Sequence, residues 1–184
     1  MCTYIIKLIV AMMIITPVYL LLRRPWKRSC PREAVLGIFV LFMTALLALA
    51  FEGSYGTPWD MAGRAAERIR SGNRINLIPF RTIGNYWRHR ETAADAFLVN
   101  IAGNIVMFIP WGLGLALLWK KNQSVLRILL FAVLLPLFIE TTQLFLERTV
   151  DVDDLILNFV GGCLGGLIYW GIWKIVPGID RLAE

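Results

Sequence analysis

VLRILLFAVLLPLFIETTQLFLERTVDVDDLILNFVGGCLGGLIYWGIW, residues 125–173, is two long apolar runs joined by a short charged turn. The runs Val125–Leu146 and Leu155–Trp173 each approach the roughly 20 residues that a helix needs to cross a hydrocarbon layer about 30 Å thick. Only a helix satisfies its own backbone polar groups there, so the stretch reads as a transmembrane hairpin. Outward from it, Tyr4–Leu22, Ala34–Phe51 and Leu98–Trp119 repeat the pattern. The expected fold is all-α: a polytopic membrane helix bundle of about five transmembrane helices. Composition agrees, because 184 residues with 58% hydrophobic and 17% charged side chains and a mean hydropathy of +0.64 carry more apolar surface than a soluble core can hide. Lys7 and Pro17 interrupt the first run, but a lysine near a helix end can snorkel to the interface. A cleaved signal peptide would place its basic residues before the apolar run, whereas Arg23, Arg24, Pro25, Trp26, Lys27 and Arg28 follow it.

The net charge of +6 does not point to nucleic acid, because the basic residues sit between apolar runs and form no continuous face. They mark topology instead. Residues 23–33 hold five basic side chains, residues 120–127 hold Lys120, Lys121 and Arg127, and the tail from 174 holds Lys174 and Arg181. In a five-helix count all three lie on one side, which the positive-inside rule makes cytoplasmic. The N-terminus, the long connection 52–97 and the 147–154 turn then face outward, and the C-terminus faces inward. The connection carries seven arginines against five acids, but long segments translocate with less regard to charge. Within it, WDMAGRAAERIR, residues 59–70, spaces Met61, Ala62, Ala65, Ala66 and Ile69 helically and predicts a short interfacial helix. Its basic face either meets lipid head groups or is simply solvated. Cys2 and Cys30 fall at opposite ends of the first helix and Cys163 among glycines, so no disulfide framework is expected. His89 has no second His or Cys near it and suggests no metal site.

Polar residues at membrane depth need a partner or a function. Asn100 and Asn104 are one turn apart at the outer start of the third span, ahead of Pro110, which should kink it. Glu140 and Gln143 share a face near the outer end of the fourth. Asp151, Asp154 and Asn158 follow i, i+3, i+7 spacing at the start of the fifth, with Asp153 beside them and Arg148 just before. Gly161, Gly162, Gly165 and Gly166 continue that stripe, which lets another helix, or a second copy of the chain, approach closely. Asp151 and Asp153 also suit helix caps, and the asparagines suit bonds across the bundle. Glu140, inside an apolar run, calls for a cation such as Arg148 or a protonated carboxyl.

The strings NLIPF at 76–80, NIAGNIVMFIPWG at 100–112 and ETTQLFLERTVDVDDLILNFVGG at 140–162 together resemble the VanZ family of bacterial membrane proteins. The resemblance runs from Asn76 to Gly166 and divides the chain into two N-terminal helices, 1–51, and a VanZ-like region, 52–184. It implies a multi-pass bacterial membrane protein linked to resistance against teicoplanin-type glycopeptides. The motif positions Asn76, Pro79, Phe80, Asn100, Asn104, Glu140, Gln143, Arg148, Asp151, Asp153, Asp154 and Asn158 become candidate ligand-binding residues.

Three functions follow from this reading. The first is a non-enzymatic protein whose outward polar pocket binds a membrane lipid or a lipid-linked cell-wall component, without a cofactor. The second is an enzyme in which Asp151, Asp153 and Asp154 hold a divalent cation for chemistry on a phosphate-containing lipid. No Ser/His or Cys/His nucleophile pair supports it. The third is a small transporter, which five helices without an inverted repeat do not favour.

Overall fold

The computed structural model describes residues 2–23, 30–53 and 55–183. The basic stretch 24–29 and the side chains of Cys2, Lys7 and Cys30, on which the snorkelling and cysteine expectations rest, lie outside the described residues. In chain order the elements are α1 (Cys2–Arg23), α2 (Cys30–Ala50), α3 (Pro58–Ser71), β1 (Ile75–Asn76), α4 (Arg81–Arg88), α5 (Ala94–Phe97), α6 (Gly103–Leu118), α7 (Val125–Phe145), β2 (Val150–Asp151) and α8 (Val152–Ile175). One π-helical turn, Leu98–Ala102, joins α5 to α6.

Four spans, Pro31–Ala50, Ala94–Leu118, Val125–Phe145 and Val152–Ile175, are long and apolar enough to cross a membrane, and Leu8–Arg23 is a shorter apolar helix. The chain is an all-α polytopic membrane helix bundle. Its fifth helix begins at Val152 rather than at Leu155. Asp153 and Asp154 occupy the first turn, where acids complement the helix dipole, and Asp151 caps it by accepting from the Asp153 amide at 2.9 Å.

α8 is the central helix and packs on α6 and α7; α2 leans on α6, and α1 on α2. The glycine stripe explains the closeness. A Cβ at Gly161 or Gly165 would overlap the carbonyl oxygen of Ile105 or Ile109 on α6, while Gly162 and Gly166 lie against Ala132 and Ile128 of α7. Gly112 of α6 meets Gly162 backbone to backbone. Of the two partners expected for this stripe, another helix of the same chain is the one observed. Helices lacking side-chain bulk at the crossing gain dispersion contacts that lipid cannot supply.

Near one end of the bundle, Leu46, Ala50, Phe108 and Ile139 form a buried apolar cluster. We call this the polar end, for the side chains that lie above the cluster. Outward-facing leucines such as Leu22 and Leu126 present the apolar exterior that a bilayer solvates.

The long connection folds over the polar end. Thr57 and Asp60 form a reciprocal capping box at the start of α3, and Gly72, at φ +67°, ends it in the left-handed conformation that suits glycine. The side-chain and backbone bonds from Thr57 hold the Asp60 carboxyl below its ordinary pKa. The helix expected at 59–70 is thus present, but its basic face is not all outward. Arg68 lies buried beside Ala65 and donates to the carbonyls of Leu144 (2.7 Å), Gln143 (3.3 Å), Arg74 (3.2 Å) and Arg148. One guanidinium thereby satisfies carbonyls freed where α7 ends. Desolvation, then the neighbouring Arg74, pull its pKa down, and Glu147 opposes them.

Candidate functional site

β1 and β2 form a two-residue parallel bridge that sets Ile75 against Val150 and Asn76 against Asp151. It ties NLIPF to the acidic turn, and the motif acids then divide into two groups.

The first group builds the cover. Asp151 accepts from the Asn76 amide at 2.8 Å and the Thr82 hydroxyl at 2.6 Å. Asp153 is wholly buried and accepts from the backbone N–H of Phe80, from Thr82 at 2.7 Å and from Ile83 at 3.0 Å. α4 has no side-chain cap of its own, and Phe80 before it stands at φ +64°. Asp153 supplies the missing cap from across the chain. Pro79 and Phe80 are exposed, and only the Phe80 amide enters this network.

The second group lines a cavity of about 300 Å³ between α2, α6, α7 and α8. Its polar lining is Asn104, Glu140, Gln143, Arg148, Asp154 and Asn158 from the motifs, together with Thr149, and Leu46, Leu49 and Ala50 of α2 close one side. Asn104 donates to Asp154 Oδ1 at 2.9 Å, and Gln143 to the Ala50 carbonyl at 3.3 Å. Arg148, exposed at the mouth, reaches the Leu49 carbonyl at 3.4 Å. Glu140 joins the two groups, because its Oε2 accepts from the Asp151 amide at 3.0 Å.

Of the two alternatives open for Glu140, the cation is not the partner observed: its carboxyl accepts from a backbone amide instead of Arg148. Two expectations are corrected here. Asn100 does not line the cavity with Asn104: its side-chain amide bonds back to the Ala96 carbonyl at 2.7 Å, and its own carbonyl accepts from Asn104 at 2.8 Å. The triad Asp151, Asp153 and Asp154 does not converge on one point, since the first two face α4 and β1 while the third faces the cavity. Among the described residues no three His, Cys, Asp or Glu side chains are arranged to hold a metal ion.

The sequence reading missed Thr82, Arg68 and Gly112. Arg68 follows Ala65 by three positions and so borders the apolar stripe of α3, a signal outweighed by its charge. Thr82 had none, because its role depends on the β1–β2 bridge.

A family model described as VanZ/LLP1 matches residues 36–174, from within α2 to the end of α8. The chain belongs to the VanZ/LLP1 family. The match takes in α2, whose Leu46, Leu49 and Ala50 wall the cavity, as well as the motif-bearing helices. The chain is 34% identical over 96 residues to Protein VanZ of Enterococcus faecium, an alignment covering 52% of this chain and 52% of that one. The chain thus spans about half the length of the curated relative it matches. No solved structure shows significant similarity to it.

Proposed function

We propose that the polar end faces the outside of a bacterial cell, that the cavity binds the head group of an envelope lipid or lipid-linked cell-wall component, and that occupancy lowers sensitivity to teicoplanin-like glycopeptides. The observation that carries this reading is the convergence of six polar VanZ-motif side chains on one cavity at the polar end. A volume of this size suits a small polar group, and burying so many polar atoms at membrane depth without a ligand role would be costly. The VanZ relationship supports the antibiotic phenotype. The basic residues 120–127 and 174–181 at the far end support the orientation.

Cysteine labelling in intact cells tests the orientation. Arg88→Cys should react from outside and Lys121→Cys only after permeabilisation; the reverse pattern inverts the topology. Susceptibility tests address the function. Expression should raise glycopeptide tolerance without altering the terminal peptide of the wall precursor. Asp154→Asn, Glu140→Gln and Arg148→Gln should each remove that tolerance at normal protein levels, since each removes a charge, the first two while keeping side-chain shape. If all three express normally and leave susceptibility and lipid composition as in wild type, the cluster is structural and the reading is wrong.

A further inference from the structure

We infer that the cavity recognises a primary ammonium group, held by Asn158, Asp154 and Glu140, on a zwitterionic head group whose phosphate meets Arg148 at the mouth. This rests on the head-group reading above and goes beyond it by naming the chemistry recognised.

Unsatisfied groups are what point to it. Asn158 is only 4% exposed, its Oδ1 is buried without a partner, and its amide makes no hydrogen bond in the described structure. A buried amide left so costs about 1–3 kcal/mol unless something donates to it. Each carboxylate of the cavity uses one oxygen on a protein donor, Asp154 Oδ1 on Asn104 and Glu140 Oε2 on the Asp151 amide. Among the described residues, Asp154 Oδ2 and Glu140 Oε1 have no donor. The groups left open toward the cavity among the described residues are thus the Asn158 side-chain amide and one oxygen of each carboxylate, contributed by α7 and α8.

An ammonium carries three N–H donors and one positive charge, which answers both features. A bare divalent cation answers them less well. It needs six or more oxygens drawn close around it, whereas this cavity holds about 300 Å³, the volume of about ten water molecules. Among the described residues that line it, Arg148 is the one cationic side chain, and it sits at the exposed mouth. Its guanidinium suits the phosphate that an ethanolamine head group carries a short distance from its ammonium. The arrangement thus discriminates against choline, which has no N–H to offer, and against glycerol, which has no charge.

Native mass spectrometry of the full-length, delipidated protein offered equimolar phosphatidylethanolamine, phosphatidylcholine and phosphatidylglycerol tests this. Phosphatidylethanolamine should be retained about tenfold over each of the others, the worth of one charge-assisted hydrogen bond. Asp154→Asn, which keeps the side-chain shape, and Asn158→Ala should each abolish that preference, with thermal unfolding confirming that they fold. Arg148→Gln should weaken phosphatidylethanolamine and phosphatidylglycerol alike. Soluble phosphoethanolamine as competitor tells whether the free head group suffices or the lipid is needed, and either supports the ammonium site. Equal retention of phosphatidylethanolamine and phosphatidylcholine overturns it, as does binding of Mg²⁺ with no lipid preference. If the lipids bind alike while the cavity variants still abolish glycopeptide tolerance, the ammonium inference falls and the head-group reading stands. If those variants change neither lipid retention nor tolerance, both fall.

Discussion

Asp153→Ala is expected to lower the stability of the purified protein by about 3 kcal/mol, because three backbone amides lose a buried acceptor that contributes about 1 kcal/mol or more to each. The amides of Phe80, Thr82 and Ile83 have no other cap, so α4 should detach from α8 together with the β1–β2 bridge. Thermal unfolding in detergent should show a fall of roughly 6–12 °C, taking about 2–4 °C per kcal/mol for a chain of this size. Asp154→Asn is the control. Its side chain faces the cavity and bonds only Asn104, so its unfolding temperature should stay near that of wild type. Equal unfolding temperatures for Asp153→Ala and wild type would show that α4 holds without its distant cap.

Gly165→Leu should prevent assembly of the bundle. Even a Cβ there would stand 2.6 Å from the Leu113 backbone nitrogen and would overlap the Ile109 carbonyl, and backbone atoms of a packed helix cannot turn aside as a side chain can. Overpacking of a core commonly destabilises by about 1–3 kcal/mol, and a rigid helix crossing belongs at or above the top of that range. Gly171→Leu on the same helix is the control, since a Cβ at that position meets nothing within 4 Å. Size-exclusion profiles of the two variants should differ sharply, with Gly165→Leu aggregated and Gly171→Leu monodisperse. Matching monodisperse profiles would mean that α6 and α8 can separate freely and that their close contact is not needed for folding.

Much of this molecule can be read before any fold is built, and the limits of that reading lie at particular residues. The spans were legible because apolar length is a property of a few neighbouring residues facing one solvent. The α3 helix was legible for the same local reason, from its periodicity. Arg68 was not, because a guanidinium is read as exposed until the four carbonyls that receive it are in place. Asn100 and Asn104 were read together because they stand one turn apart, but which of the two reaches the cavity depends on where α7 and α8 meet α6. The glycine stripe was legible as a contact surface, but nothing local distinguishes a neighbouring helix of the same chain from a helix of another copy.

By itself, the sequence determined that this is a membrane bundle, where its long helices run and that its polar residues gather at one end, since each of these follows from the order of apolar and polar side chains along a helix. Only the tertiary structure decided what each acid does. Asp153 and Asp154 are adjacent and chemically identical, yet they differ by about 100° around α8. That rotation turns one toward the returning segment 76–83 as its cap and the other toward Asn104 in the cavity. The assignment depends on where α4 and α6 arrive in space, and residues 70 and 50 positions away in the chain set it.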